Sequence, residues 1–372
     1  MISSFYYLAA YTAAVAAGFS ERDSAVIARA ARYTEDCAGL TAPAGGKTQE
    51  SPLDQLLELG IFHYLPGDEK DIMPGVDPVF LEGPGAASAP MLAMVCLPDG
   101  ALGAAAEEYA CGGMVSGELS DEAALQRTGI VCHILASAQL HRGFVGFACP
   151  AINGVSGVMA ADPVPVRDRE KLLRARTEPL ETLFSMKPVS PDPAAGATGC
   201  EQVKALVDCP ASIFSYQSAW AMPARVSCVN PLRYAGAYYR LKAALIRLRQ
   251  RAAGLEPALF REDGEDLLNA AVFFGGITGD DMLNRRWLSF FKWLEYLPPY
   301  EPPARETDAL FLNSFQYQAL QIREWLWRKS PVLSACEEAL SAGGEGGGEA
   351  SGTDAPAPPA PDNLCLVLPG DD

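Results

Sequence analysis

Phe5-Tyr6-Tyr7-Leu8-Ala9-Ala10-Tyr11-Thr12-Ala13-Ala14, closed by Gly18 and followed by Ser20-Glu21-Arg22-Asp23, is the stretch on which the fold turns. An uncharged run with Tyr6, Tyr7 and Tyr11 at helical spacing predicts a helix over about 5–17. Gly18 is its natural stop, because glycine accepts the left-handed backbone past a helix C-terminus. Ser20 with Asp23 then reads as a capping start, where a hydroxyl and a carboxylate can satisfy N–H groups that lack a partner in the first turn. The second helix covers about 21–37, and the two form an αα-hairpin. The apolar run from Ile2 to Phe19 has the look of a secretion signal, but no Lys or Arg precedes it, so it reads as a core helix. No other stretch offers about 18 uninterrupted apolar residues. The expectation is a cytoplasmic chain with no membrane span.

Working outward, Ser120-Asp121-Glu122 is a strong helix start, with acids where the helix dipole favours them, and the helix should run to His141. Asn230-Pro231 reads as a cap followed by proline in the first helical position, opening a helix that ends near Gly254. Further helices are expected over 281–297 and 307–329, on either side of Pro298-Pro299-Tyr300-Glu301-Pro302-Pro303. The segments 38–90 and 150–222 are rich in Pro and Gly and weakly patterned, apart from a helical piece at 168–184. The fold class is therefore mainly α: one multi-helix globular domain over 1–330 with irregular Pro/Gly-rich loops.

From Pro331 on, the acids Glu337, Glu338, Glu345, Glu349, Asp354, Asp362, Asp371 and Asp372 face no Lys or Arg. Few apolar groups stand there to offset the entropy of ordering, so 331–372 reads as a disordered acidic tail. It carries one apolar patch, Leu364-Cys365-Leu366-Val367-Leu368, through which a protein partner could be captured. The chain as a whole has a net charge of −17, which argues against an extended nucleic-acid surface. Its ten cysteines are scattered with neither C-x-x-C nor zinc-finger spacing, as expected of reduced, buried thiols.

Only three histidines occur, His63, His133 and His141. The last two share a helix eight residues apart, roughly 80° around it and ~12 Å along it. They share a broad face but cannot both bind one ion from a straight helix. Ser137 lies between them, where an acid would have bridged the two; a serine is a poor ligand at neutral pH. No phosphate-binding G-x-x-x-x-G-K-[ST], G-x-G-x-x-G or nucleophile-elbow G-x-S-x-G occurs. Cys132 beside His133 is no catalytic pair, because adjacent helical residues point about 100° apart.

Three stretches carry a resemblance. Phe5 to Ala14 with Ala31-Arg32-Tyr33-Thr34-Glu35-Asp36-Cys37 is similar to the opening of an uncharacterised bacterial family, F-H-Y-Y-x-x-Y-x-A-A and then Y-x-D-D. Phe62-His63-Tyr64-Leu65-Pro66-Gly67 resembles its F-H-F-L-P-G. Gly129 to His133 and on through His141-Arg142-Gly143-Phe144-Val145-Gly146 is similar to its L-H-x-x-x-D-x-x-x-H-x-x-F-x-G helix. That helix in turn resembles the phospholipase C / P1 nuclease fold, all-helical enzymes in which three zinc ions activate water against a phosphodiester. Tyr6 stands in place of the family's first-helix histidine, and Ser137 in place of the helix acid. The ligands that carry over are Asp36, with Glu35 beside it, His63, His133 and His141.

The resemblance implies a degenerate zinc phosphoesterase-like protein that acts as a binding or scaffold protein and retains one metal ion, zinc. An active metal-dependent phosphoesterase, with Asp36, His63, His133 and His141 holding zinc, is the alternative. A partner-binding protein working through its acidic tail is the third reading.

Overall fold

The computed structural model describes residues 4–41, 61–67, 89–98, 100–115, 122–147, 149–162, 168–191, 200–218, 220, 225–255, 264–291, 297, 299–304, 307–335 and 338. The tail patch Leu364–Leu368 and most of the expected irregular segment 38–90 lie outside these. The molecule is mainly helical, with one small antiparallel sheet.

Helix α1 (Ser4–Ala16) is buried on every side from Phe5 to Ala14, the position its uncharged sequence fits best. Gly18 closes it at φ +90°, and the Asp23 N–H donates to Ser20 Oγ at 3.1 Å to start α2 (Glu21–Thr41). The short turn α3 (Ile61–His63) carries the first histidine. After α4 (Ala89–Ala93) and α5 (Ala101–Val115) comes α6 (Glu122–Leu140), buried almost throughout. Helix α6 packs directly on α2. Gly129 makes this possible, since a methyl there would lie 2.3 Å from the Ile27 carbonyl oxygen and 2.7 Å from Ala30 Cβ. With the two backbones in contact, residues one turn further along each helix, Glu35 and His133, are brought face to face.

Segment 61–67 is tied down from outside. Pro66 and Cys96 form an isolated bridge, with Gly67 N–H donating to Val95 O and Leu97 N–H to Leu65 O. Cys96 also exchanges backbone bonds with Gly143 and Phe144, just past α6. Asn153, at the end of α7 (Pro150–Asn153), then pins the preceding segment through Val145 N–H, Val145 O and Phe147 O.

The region expected to be irregular, 150–222, contains three strands of the sheet, and the fourth follows directly. Strands β1 (Val155–Ala161), β2 (Met186–Pro188), β3 (Ile213–Ser218) and β4 (Arg225–Val229) lie in the order β2-β1-β3-β4, all antiparallel. Register pairs include Met159 with Pro188 and Phe214 with Cys228, and an irregularity interrupts β1 between Ser156 and Met159. The helical piece expected at 168–184 is two short helices, α8 (Arg169–Arg174), capped by Asp168, and α9 (Leu180–Leu183). Pro179 separates them, because it cannot supply the N–H that would continue α8. A single turn, α10 (Lys204–Val207), precedes β3.

Helix α11 (Asn230–Ala252) packs on α1 and α6. Its cap is Val229, not Asn230. The Asn230 amide instead donates to the carbonyls of Leu206, Val207 and Cys209, fastening the end of α10 to the start of α11. Helix α12 (Gly264–Phe274) and α13 (Asp280–Phe290) add an aromatic cluster in which Phe5 meets Tyr234, Phe274 and Trp287 at centroid distances of 4.9, 5.8 and 6.3 Å. Helix α13 ends at Phe290, short of the expected 297. Helix α14 (Ala309–Lys329) covers α5 and α6. Among the described residues no helix is long and apolar enough to cross a membrane, and none of the eight described cysteines is in a disulfide.

Candidate metal centre

Three ligand atoms from three elements converge beneath α1. Glu35 Oε2, from α2, lies 3.7 Å from His63 Nδ1 and 3.8 Å from His133 Nε2. The two imidazole nitrogens are 3.2 Å apart. A point equidistant from the three atoms is about 2.1 Å from each, within the bonding range of zinc to imidazole nitrogen and carboxylate oxygen. All three residues are buried, so the cluster can hold a metal ion without any side chain having to move far.

Hydrogen bonding alone serves this arrangement poorly. His133 Nε2 has polar neighbours on three sides: His63 Nδ1 and Ser137 Oγ at 3.2 Å each, and Glu35 Oε2 at 3.8 Å. A neutral imidazole nitrogen carries either one proton or one lone pair, so it can satisfy one of them. Glu35 Oε2 is buried with no hydrogen-bond partner among the described residues. A buried acceptor left in that state is costly, and a cation at the centre would answer all three atoms together.

The electrostatics suit metal ligation. Burial, followed by the neighbouring His141 and the Lys204 charge, pushes His63 down to about 3. Burial and the adjacent imidazoles drive His133 well below the ordinary histidine value. Both rings are therefore neutral at physiological pH, with lone pairs free to bind an ion. Burial lifts Glu35 up to about 7, against the opposing pull of Lys204 and Arg32. The only carboxylate in the cluster is thus reluctant to ionise until a cation arrives.

Of the four ligands expected from the sequence, His63 and His133 are brought together. His141 is not a third member of the triangle: its Nδ1 pairs with the His63 carbonyl oxygen at 3.1 Å, and its ring lies against Tyr64 at 4.8 Å between centroids. It holds the turn that presents His63. Asp36 is turned away, paired with Arg32 and the Tyr300 hydroxyl, and Glu35 takes the place expected of it. The reason is helical phase. Ile27, Ala31, Thr34 and Glu35 are buried at the i, i+4, i+7, i+8 spacing of one helix face, and Asp36 falls about 100° off Glu35.

The two departures from the family pattern adjoin the cluster. Tyr6 OH is 2.9 Å from Ser137 Oγ, and the Tyr6 ring lies 4.3 Å from that of His133, centroid to centroid. Also beside the cluster stand residues that sequence reasoning missed, because they fall in the segment without pattern. Lys204 Nζ pairs with Asp208 at 3.2 Å, the lysine side chain 42% exposed and the aspartate 11%. Cys200 N–H donates to Tyr64 OH at 3.3 Å, and Tyr234 OH donates to the Asp208 carbonyl at 3.1 Å. The one signal was the i, i+4 spacing of Lys204 and Asp208.

No curated protein and no solved structure matches the chain. A family described as a family of unknown function, DUF6765, matches residues 1–329, from the first helix of the hairpin to the last residue of α14. This stretch contains every residue of the cluster and its surroundings, and the chain belongs to that family.

Proposed function

We propose that the chain is a metal-binding helical protein that holds a single zinc ion on Glu35, His63 and His133 and serves as a binding or scaffold protein, a reduced relation of the phospholipase C / P1 nuclease fold. The observation that carries this reading is the triangle of ligand atoms with edges of 3.2, 3.7 and 3.8 Å. Two neutral nitrogens and one carboxylate favour zinc over magnesium or calcium, which take oxygen ligands. Reduction to one ion follows from the donors present: Tyr6 and Ser137 offer hydroxyls where a second ion would need an imidazole and an acid, and His141 and Asp36 are engaged elsewhere. Metal analysis of protein purified without chelator tests this. One zinc per chain is expected, lost in Glu35→Gln and in His133→Ala; protein that neither carries nor takes up zinc would end the proposal.

One observation favours the alternative, a working phosphodiesterase. Lys204 is partly exposed, and its charge acts on Glu35, His63 and His141, so a phosphate arriving from that side would meet a cation first. In such an enzyme zinc would supply the Lewis acid, and Lys204 would orient the phosphate. The zinc-loaded chain is expected not to hydrolyse bis(4-nitrophenyl) phosphate. Turnover that disappears in His133→Ala would reverse the order of the two readings.

A further inference from the structure

Three donors leave a four-coordinate ion one position, and its occupant separates a closed structural centre from an open catalytic one. Ser137 sits one turn after His133 on α6, on the same face, with its Oγ 3.2 Å from His133 Nε2. That spacing equals the separation of the two imidazole nitrogens. Ser137 is fully buried, and Tyr6, which touches it at 2.9 Å, is 2% exposed. A hydroxyl has one proton and two lone pairs. With its proton given to the Tyr6 oxygen, Ser137 turns a lone pair toward the triangle.

We infer that Ser137 Oγ is the fourth ligand of the ion, oriented by Tyr6, so that the centre is closed by four protein donors and has no place for an exogenous one. This rests on the metal reading above and goes beyond it: the ion then serves structure, clamping α2, α3 and α6 together. A neutral serine hydroxyl is a weak ligand, and on a mobile side chain its binding also costs rotamer freedom. Here burial and the Tyr6 contact have already fixed it.

Cobalt(II), added alone to chelator-treated full-length chain, is the probe, read by its visible spectrum with and without azide. Wild type is expected to bind one Co(II) with the intense bands of a four-coordinate ion that azide leaves unchanged. Ser137→Ala should bind roughly 10- to 100-fold more weakly and give a spectrum that shifts on adding azide, since a solvent position has opened. Ser137→Thr, which keeps the hydroxyl, should restore the wild-type spectrum. Tyr6→Phe should weaken binding on the order of tenfold without making the site azide-sensitive. If Ser137→Ala fails to fold, as judged by far-UV circular dichroism, the Thr and Phe variants and the azide response of wild type decide. An azide-sensitive wild type, or an Ala variant indistinguishable from it, overturns the fourth ligand while leaving the three-donor site standing. A wild type that binds no Co(II) overturns both.

Discussion

Among the described residues two glutamates are buried with polar neighbours, and they are served in opposite ways. Glu107 on α5 is met by two guanidiniums, Arg240 at 2.8 Å and Arg247 at 2.7 Å, both reaching from α11. Glu35 on α2 is met by two imidazoles that burial keeps neutral. The first acid has its counter-charge within the chain. The second faces neutral imidazoles and feels the charges of Lys204 and Arg32 without a guanidinium ion pair of the kind that meets Glu107. Where a buried carboxylate only has to be tolerated, this fold supplies arginine; the contrast marks Glu35 as an acid whose cation comes from outside.

The largest test of that contrast is acid. In chelator-treated protein, burial pushes His63 and His141 down to about 3 and holds His133 well below the ordinary 6.5. Groups lowered on folding contribute stability that is fully present above their unfolded value and lost as pH falls through the folded one. Glu35 runs the other way: raised from 4.5 to about 7, it favours the fold most below 4.5 and loses that contribution as pH rises through 7. Three histidines against one acid should make the unfolding free energy from urea titration fall between pH 6.5 and 4, by on the order of several kcal/mol in all, and His133→Gln should flatten that limb. A free energy that stays level over the window would mean that the histidines are not held neutral.

Next in size is the arginine-matched acid itself. Glu107→Gln leaves two guanidiniums without their counter-ion and should cost about 3 kcal/mol, the low end for a broken buried pair because both arginines keep part of their surface in water. Chemical denaturation should give the same loss with zinc or with chelator. Glu35→Gln should differ in kind. With chelator present its stability should be close to wild type, whereas the stabilisation that wild type gains from zinc, about 2.7 kcal/mol at a free concentration 100-fold above Kd, should be absent. Equal behaviour of the two variants would dissolve the distinction. The smallest effect belongs to Asp36→Asn, which breaks a part-exposed pair with Arg32 and should change stability by about 0–1 kcal/mol; calorimetric titration should still find one zinc site.

What the sequence made legible divides along the same physical lines. The α1–α2 hairpin could be read because its signals are local: an uncharged helix, a glycine stop and a serine cap. The histidines could be singled out because there are only three. Choosing between Glu35 and Asp36 needed the phase of α2, which the spacing of Ile27, Ala31 and Thr34 held but the family pattern obscured. The sheet was hidden because its strands are short and β1 carries Gly157 beside an irregular register, so no clean alternation marks it. Lys204, Asp208 and Cys200 reach the cluster only through the pairing of that sheet and the Asn230 amide, contacts between distant segments that no local pattern announces.

The bond from His141 to the carbonyl of His63 has a mechanical consequence. The same residue that lends its imidazole to the triangle lends its backbone to the C-terminal end of α6, so the grip on the ion and the integrity of that helix end are coupled. Loosening at Leu140–Phe144 would travel into the 61–67 turn and reach the centre before any ligand side chain had rotated. A bound ion would in turn slow hydrogen exchange at the amides of Gly67, Cys96 and Gly143, which lie along the same tether.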